Sequence, residues 1–336
     1  MMMRRAVRAV ALLLGALTLL AGAGGAREAS AGEVIKIGTL APKASPWGQV
    51  FSVWEKAVKE KSNGAVELQF FYNGQQGDEA AMIGKMKSGQ LDGAAVTAVG
   101  LSKVHKQIVA LQMPGLFTSW GKLDAARDAM KADFEKGVAD AGFRILGWGD
   151  VGLARVMSKG FAVRTPDDLK GKKPYMWRDD IILPFLFQAI GGITPVPLNV
   201  PEVLPNLNTG AINVLTAPAL AAEQLQWASK LDHMVSNVAG SAIGAVLMSS
   251  KRLDALPGDL RTMITDTGKV AATALTARIR KEDDAAFGRL KGKMKVIDLT
   301  ADEQSKWNGL FAQVRQRLGQ GTFPTELVTK LESLSK

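Results

Sequence analysis

The chain has 336 residues, no cysteine, and 42 Lys and Arg against 32 Asp and Glu, for a formal net charge of +10. Without cysteine there is no disulfide framework and no lipidated thiol to anchor the protein. The basic residues are scattered among acids, with no basic run and no interleaved aromatics, which argues against nucleic-acid binding.

Residues 1–31 read as a cleaved signal peptide. Arg4, Arg5 and Arg8 precede an apolar run from Ala9 to Ala21, and Ala29-Ser30-Ala31 gives a small-residue cleavage site before Gly32. The run falls short of the ~20 apolar residues that a membrane span needs. Loss of this segment, with its four Arg and one Glu, would lower +10 to +7. The expected mature chain, from about Glu33 to Lys336, is therefore a periplasmic protein that does not span the membrane. Its length suggests two domains.

Val34–Gly38 reads as a first strand. Ser45-Pro46 opens a helix, with Ser as N-cap and Trp47, Val50, Phe51, Trp54 and Val58 at helical spacing. Val66–Phe71 alternates as a strand and ends at the turn signal Asn73-Gly74. A helix over Asp78–Lys87 and a buried strand over Ala94–Val99 follow. This alternation predicts a largely parallel sheet covered by helices. Further on, the pattern predicts a helix over Leu123–Ala141 and strands over Phe143–Trp148, Leu153–Ser158 and Pro174–Trp177. A helix over Asp180–Ile190, a weak helix over Pro201–Leu207, and strands over Ala211–Leu215 and Ile243–Ser249 complete the middle of the chain. The remainder reads as long helices from Pro257 to about Leu290 and from Thr300 to about Leu318.

No Gly-Ser linker divides the chain, so crossings between domains are expected inside strands, near Gly147–Gly152 and Gly240–Gly244. That gives an α/β, two-lobed fold of the periplasmic-binding-protein type II kind. Lobe I would comprise 32–150 plus about 241–290, lobe II 151–240, and 291–336 would supply C-terminal helices packing across the lobes. A cleft between lobes is a favoured ligand site, and hinge closure is a known mode of capture.

Several short motifs occur in a specific order: Gly74-Gln75-Gln76-Gly77-Asp78-Glu79, Gly89-Gln90-Leu91-Asp92, Pro166-Asp167-Asp168-Leu169-Lys170-Gly171-Lys172-Lys173, Gly191 to Pro197, Glu202-Val203, and Leu207-Asn208-Thr209-Gly210. In order and spacing the chain resembles the solute-binding proteins of TRAP transporters, the C4-dicarboxylate-receptor-like family. The resemblance implies two α/β lobes, ligand capture by closure, and delivery to a two-part membrane permease. It also implies an Arg four residues after the Gly of the Leu-Lys-Gly motif, pairing with a ligand carboxylate, but that position is Tyr175. Arg178 stands three residues later, an odd offset that turns a strand side chain to the other face. The family's second frequent Arg matches Arg155, and a position often held by Asn is Ala217, before Pro218.

These departures lead to a ligand expectation. Burying a carboxylate without a paired charge is costly, so an apolar or amphipathic ligand is expected, such as an aromatic or long-chain monocarboxylate or a lipid-like molecule, with a C4-dicarboxylate or other polar organic acid as the alternative. The candidate wall is Trp47, Glu79, Thr97, Arg155, Tyr175, Trp177, Thr216, Ala217 and Pro218. Arg155 would clamp an acid head group or bridge the lobes. Glu79 would face the cleft or serve as a first-turn helix acid. Trp227 and Gln224 would line the rim or pack, and Trp54 would be core.

Chemistry beyond binding finds little support. Gly147–Gly152 matches G-x-G-x-x-G, but a strand rather than a helix follows, so hinge geometry is the better reading. His105 and His233 stand apart without ligand clusters, and no G-x-S-x-G occurs. Asp179-Asp180 reads as helix capping rather than a cation site. No cofactor, metal or catalytic group is expected. The alternatives from other classes are an exported enzyme or a ligand sensor on the same scaffold. Monomer and homodimer both remain open.

Overall fold

A computed structural model describes residues 32–336; the signal-peptide segment lies outside the described residues. In chain order the elements are β1 (Glu33–Thr39), α1 (Pro46–Lys61), β2 (Val66–Phe71), α2 (Glu79–Lys87), β3 (Gly93–Thr97), α3 (Ala98–Ser102), α4 (Trp120–Asp140), β4 (Phe143–Ser158), β5 (Tyr175–Trp177), α5 (Leu183–Ile190) and β6 (Val196–Leu198). There follow α6 (Val200–Thr209), β7 (Val214–Pro218), α7 (Ala219–Gln224), β8 (His233–Val235), β9 (Gly240–Ser249), α8 (Ser250–Asp254), α9 (Gly258–Lys291), β10 (Lys295–Ile297), α10 (Ala301–Leu318) and α11 (Thr325–Leu334). The fold is α/β and two-lobed.

One sheet runs β10-β8-β4-β9-β3-β1-β2, and β7 also pairs with β4. β1 pairs in parallel with β2 and β3, as the helical connections between them require. β4 is one 16-residue strand, where the sequence predicts two. Register shifts between Ile145 and Gly147, and between Asp150 and Gly152, absorb the irregular glycine stretch without ending the strand. β9 is antiparallel to β4 over nearly its whole length, with Gly149 opposite Gly244 and Ala154 opposite Gly240. The two glycine segments predicted as crossings therefore lie side by side, hydrogen-bonded to each other.

Other boundaries shift for local reasons. β3 stops at Thr97, whose hydroxyl accepts from Val99 N at 3.2 Å and starts α3. The strand expected over Ala211–Leu215 is Val214–Pro218, because α6 ends on Gly210 at φ 73° and three residues are needed to reach the sheet. Asp180 caps α5 from outside, its Oδ1 accepting from Ile182 N at 2.7 Å and Leu183 N at 2.8 Å. α1 begins as expected, with Ser45 accepting from Gly48 N.

α9, 34 residues long, packs along β4 and against α1 and α7. α10 lies on α5, and α11 lies on α4. Trp307 of α10 donates to Arg164 O at 2.8 Å, and Arg315 donates to Pro114 O at 2.8 Å, so this helix touches segments both before and after β4 in the chain. Trp54 is core, its indole donating to Thr267 Oγ1 at 3.1 Å.

Candidate functional site

A cavity of about 320 Å³ opens beside the paired strands β4 and β9, at the small end of the roughly 300–1,000 Å³ usual for ligand pockets. One wall comes from the β1–α1 connection and the β3–α3 junction. The other comes from β5, the start of α5 and the end of β7. Trp47, Glu79, Thr97, Tyr175, Trp177, Thr216, Ala217 and Pro218 all lie in this wall.

Arg155 does not. Its neighbours Ala154 and Val156 line the cavity, and alternation along β4 turns Arg155 to the opposite face. There its guanidinium lies 3.8 Å from the centre of the Phe287 ring on α9, and donates to Leu153 O at 3.0 Å and Ser236 O at 3.2 Å. The side chain is only 6% exposed. Burial lowers its pKa, opposed by Asp283 and Asp284. Its contacts tie β4 to α9 and to the connection between β8 and β9. Arg178 also avoids the cavity and pairs with Glu202.

The polar atoms of the wall are mostly occupied. Glu79 is 1% exposed. Its carboxylate accepts from Thr97 N at 2.8 Å, Thr97 Oγ1 at 2.9 Å and Gly100 N at 2.7 Å, stitching α2 to the β3–α3 junction. Burial pushes its pKa up to about 8. The Trp47 indole donates to Asp150 O at 3.4 Å, and the Trp177 indole donates to Asp78 Oδ2 at 3.1 Å. Thr216 is exposed.

Tyr175 is different. It is 7% exposed and packs edge-on against Trp227 with ring centres 6.0 Å apart, yet its hydroxyl has no partner among the described residues. Burial raises its pKa well above the usual value, helped by the negative charge of Asp78, Asp180, Glu79 and Glu202. The hydroxyl is therefore a permanent donor.

The ionisable side chains of the wall are all acidic. Its ionisable carboxylates are Glu79, Asp150, Asp179 and Asp180, and no Lys, Arg or His lines the cavity among the described residues. Asp150 is neutralised by Arg127 and Arg280, each at 2.7 Å. Asp179 meets Lys103 at 2.5 Å. Glu79 and Asp180 have no cationic partner, and burial raises both.

Sequence reasoning missed several wall residues. Trp307 and Phe311 arrive from α10, which reaches the cavity only because that helix packs on α5. Their helical spacing signals an apolar face and nothing more. Trp148, Gln112 and Phe187 carry no distinguishing local pattern either. Trp227 lines the cavity as well as packing, whereas Gln224 does not line it. The G-x-G-x-x-G stretch lies inside β4. His105 packs against Phe134, and His233 pairs with Asp232 at the surface.

Comparison with known proteins gives a consistent picture. The family model described as "DctP: Bacterial extracellular solute-binding protein, family 7" matches residues 37–320. The C4-dicarboxylate-binding periplasmic protein DctP of Rhodobacter capsulatus is 22% identical over 300 residues, covering 85% of this chain and 86% of that one. A solute-binding protein of Chromohalobacter salexigens is 27% identical over 173 residues, so this chain spans about half (51%) of that relative. The fold is similar to that of a TRAP periplasmic solute-binding protein from Sulfurospirillum deleyianum with bound succinate, at a TM-score of 0.84 and 20% identity over 90% of this chain and 99% of that one. It is also similar to a sugar-acid-binding protein from Advenella mimigardefordensis in complex with galactonate, at a TM-score of 0.83 and 18% identity over 90% and 98%.

Proposed function

The chain belongs to family 7 of the bacterial extracellular solute-binding proteins, and from that premise we propose that it is the periplasmic receptor of a TRAP-type transporter for an uncharged, largely apolar or amphipathic solute. It works without covalent chemistry. Two lobes, taken as 32–150 with about 241–290 and 151–240, close over the solute and present it to a membrane permease. The ligand favours closure by binding the closed state better than the open one.

One observation carries the ligand class: among the described residues no basic side chain lines the cavity, while Glu79 and Asp180 stand in it without a cation. A carboxylate placed there would lose hydration without gaining a counter-charge. Rings of Trp47, Tyr175, Trp177 and Trp227 offer apolar area instead. In this reading the buried, unpartnered Tyr175 hydroxyl would be met by a neutral acceptor on the ligand, such as a carbonyl, ether or hydroxyl oxygen, once a small shift of the ring uncovers it.

A second reading, a receptor for a polar organic acid, is favoured by the comparisons, since the similar solved structures hold succinate and galactonate. Native mass spectrometry of freshly purified protein, followed by extraction, separates the two. A retained neutral amphiphile supports the first. Micromolar binding of succinate or galactonate in a thermal-shift titration overturns it and installs the second.

A further inference from the structure

Asp78 sits in the turn before α2, on the β1–β3 side of the cleft. Its Oδ1 accepts from Glu79 N at 2.7 Å, which caps α2 and fixes the plane of the carboxylate. Its Oδ2 then reaches across the cleft to two donors from the other side: Trp177 Nε1–H of β5 at 3.1 Å, and Val200 N–H, the first residue of α6, at 3.0 Å. These partners are 99 and 122 residues away in sequence. The carboxylate is half-buried: desolvation raises its pKa, and the bonds from Glu79 N, Val200 N and the Trp177 indole oppose that rise by favouring the ionised form, to which they are charge-assisted.

Opening the cleft would strip Oδ2 of both donors at once. The same movement would release the ring of Trp177, which is a cavity wall. Lys103–Asp179 also bridges the cleft, but both side chains are about a third exposed, at 33% and 29%, where ion pairs contribute little.

We infer that Asp78 is a positioning residue: it latches the closed cleft and, through the indole N–H, sets the place of the Trp177 ring against the ligand. This rests on the two-lobe receptor reading above.

The absence of cysteine allows a clean test. Val53→Cys and Asn208→Cys place spin labels at exposed positions of α1 and α6, on either side of the cleft. The distance between them is measured in the otherwise native chain, in Trp177→Phe and in Asp78→Asn. Asparagine keeps the size and an oxygen for the α2 cap, but cannot accept on both sides. Both variants are expected to shift the distribution towards longer distances. Each should also raise the dissociation rate of the neutral fluorophore N-phenyl-1-naphthylamine by about tenfold, the scale of one hydrogen bond to a charged group. The double variant should fall short of the sum of the two single ones, because both changes break the Asp78–Trp177 bond while each also loses a contact of its own. An unchanged distance distribution in both folded single variants overturns the latch. Failure of the native chain to bind the fluorophore counts against the apolar-ligand reading alone, and the distance measurement still decides the latch.

Discussion

Glu79 shows how a wall residue shapes stability as well as shape. Its folded pKa of about 8 lies above the ordinary 4.5, so the native state binds more protons than the unfolded state between those values. Stability is then fullest below about pH 4.5 from this group and falls as pH rises through 8. Urea unfolding at a series of pH values should show that decline, of order a few kcal/mol, and Glu79→Gln should flatten it, although its amide lowers the baseline by facing one of three donors. Arg155 makes the contrasting case. Arg155→Met should leave ligand affinity within about twofold and lower stability by about 2 kcal/mol, since it loses the Phe287 stack and two carbonyl bonds. A tenfold loss of affinity at unchanged Tm would return it to the site. Tyr175→Phe should do the reverse: affinity falls by about tenfold, while the ligand-free Tm holds or rises, because the hydroxyl satisfies no protein group. Equal binding by the two forms would show that the ligand offers the hydroxyl no acceptor.

Among the elements, β4 depends most on particular glycines. A Cβ on Gly147 would lie 2.1 Å from the Cβ of Ala272 on α9. Gly152 has φ 147°, and a Cβ there would lie 2.4 Å from the Cβ of Pro218. At Gly149 the nearest atom is 3.5 Å away. Gly147→Ala and Gly152→Ala should therefore cost about 2–3 kcal/mol or more, and Gly149→Ala less than about 1 kcal/mol. Thermal melts of the three variants read this directly, and equal losses at all three sites would deny the close packing of α9 on β4. α9 is also held here by Asp283, fully buried, whose carboxylate accepts from Leu153 N and Leu220 N at 2.9 Å each.

At the scale of the whole molecule, the sequence made the architecture legible but not the contacts. Alternating strands and helices up to Thr97 and the long helix ending near Leu290 follow from periodicity and turn chemistry. Eight wall positions were reachable through motif order, because motif spacing preserves where a residue sits along the chain. Which way Arg155 points was not, since the register shift between Asp150 and Gly152 resets the alternation and leaves no trace in residue type. Trp307 and Phe311 were invisible for another reason: their place depends on α10 meeting α5, a contact between segments more than a hundred residues apart. The pairing of β4 with β9 has a mechanical consequence. The two glycine-rich segments are each other's hydrogen-bonding partners, so a change of twist in one has to be matched in the other. In the proposed receptor that coupling would make the paired strands a shared joint between the lobes.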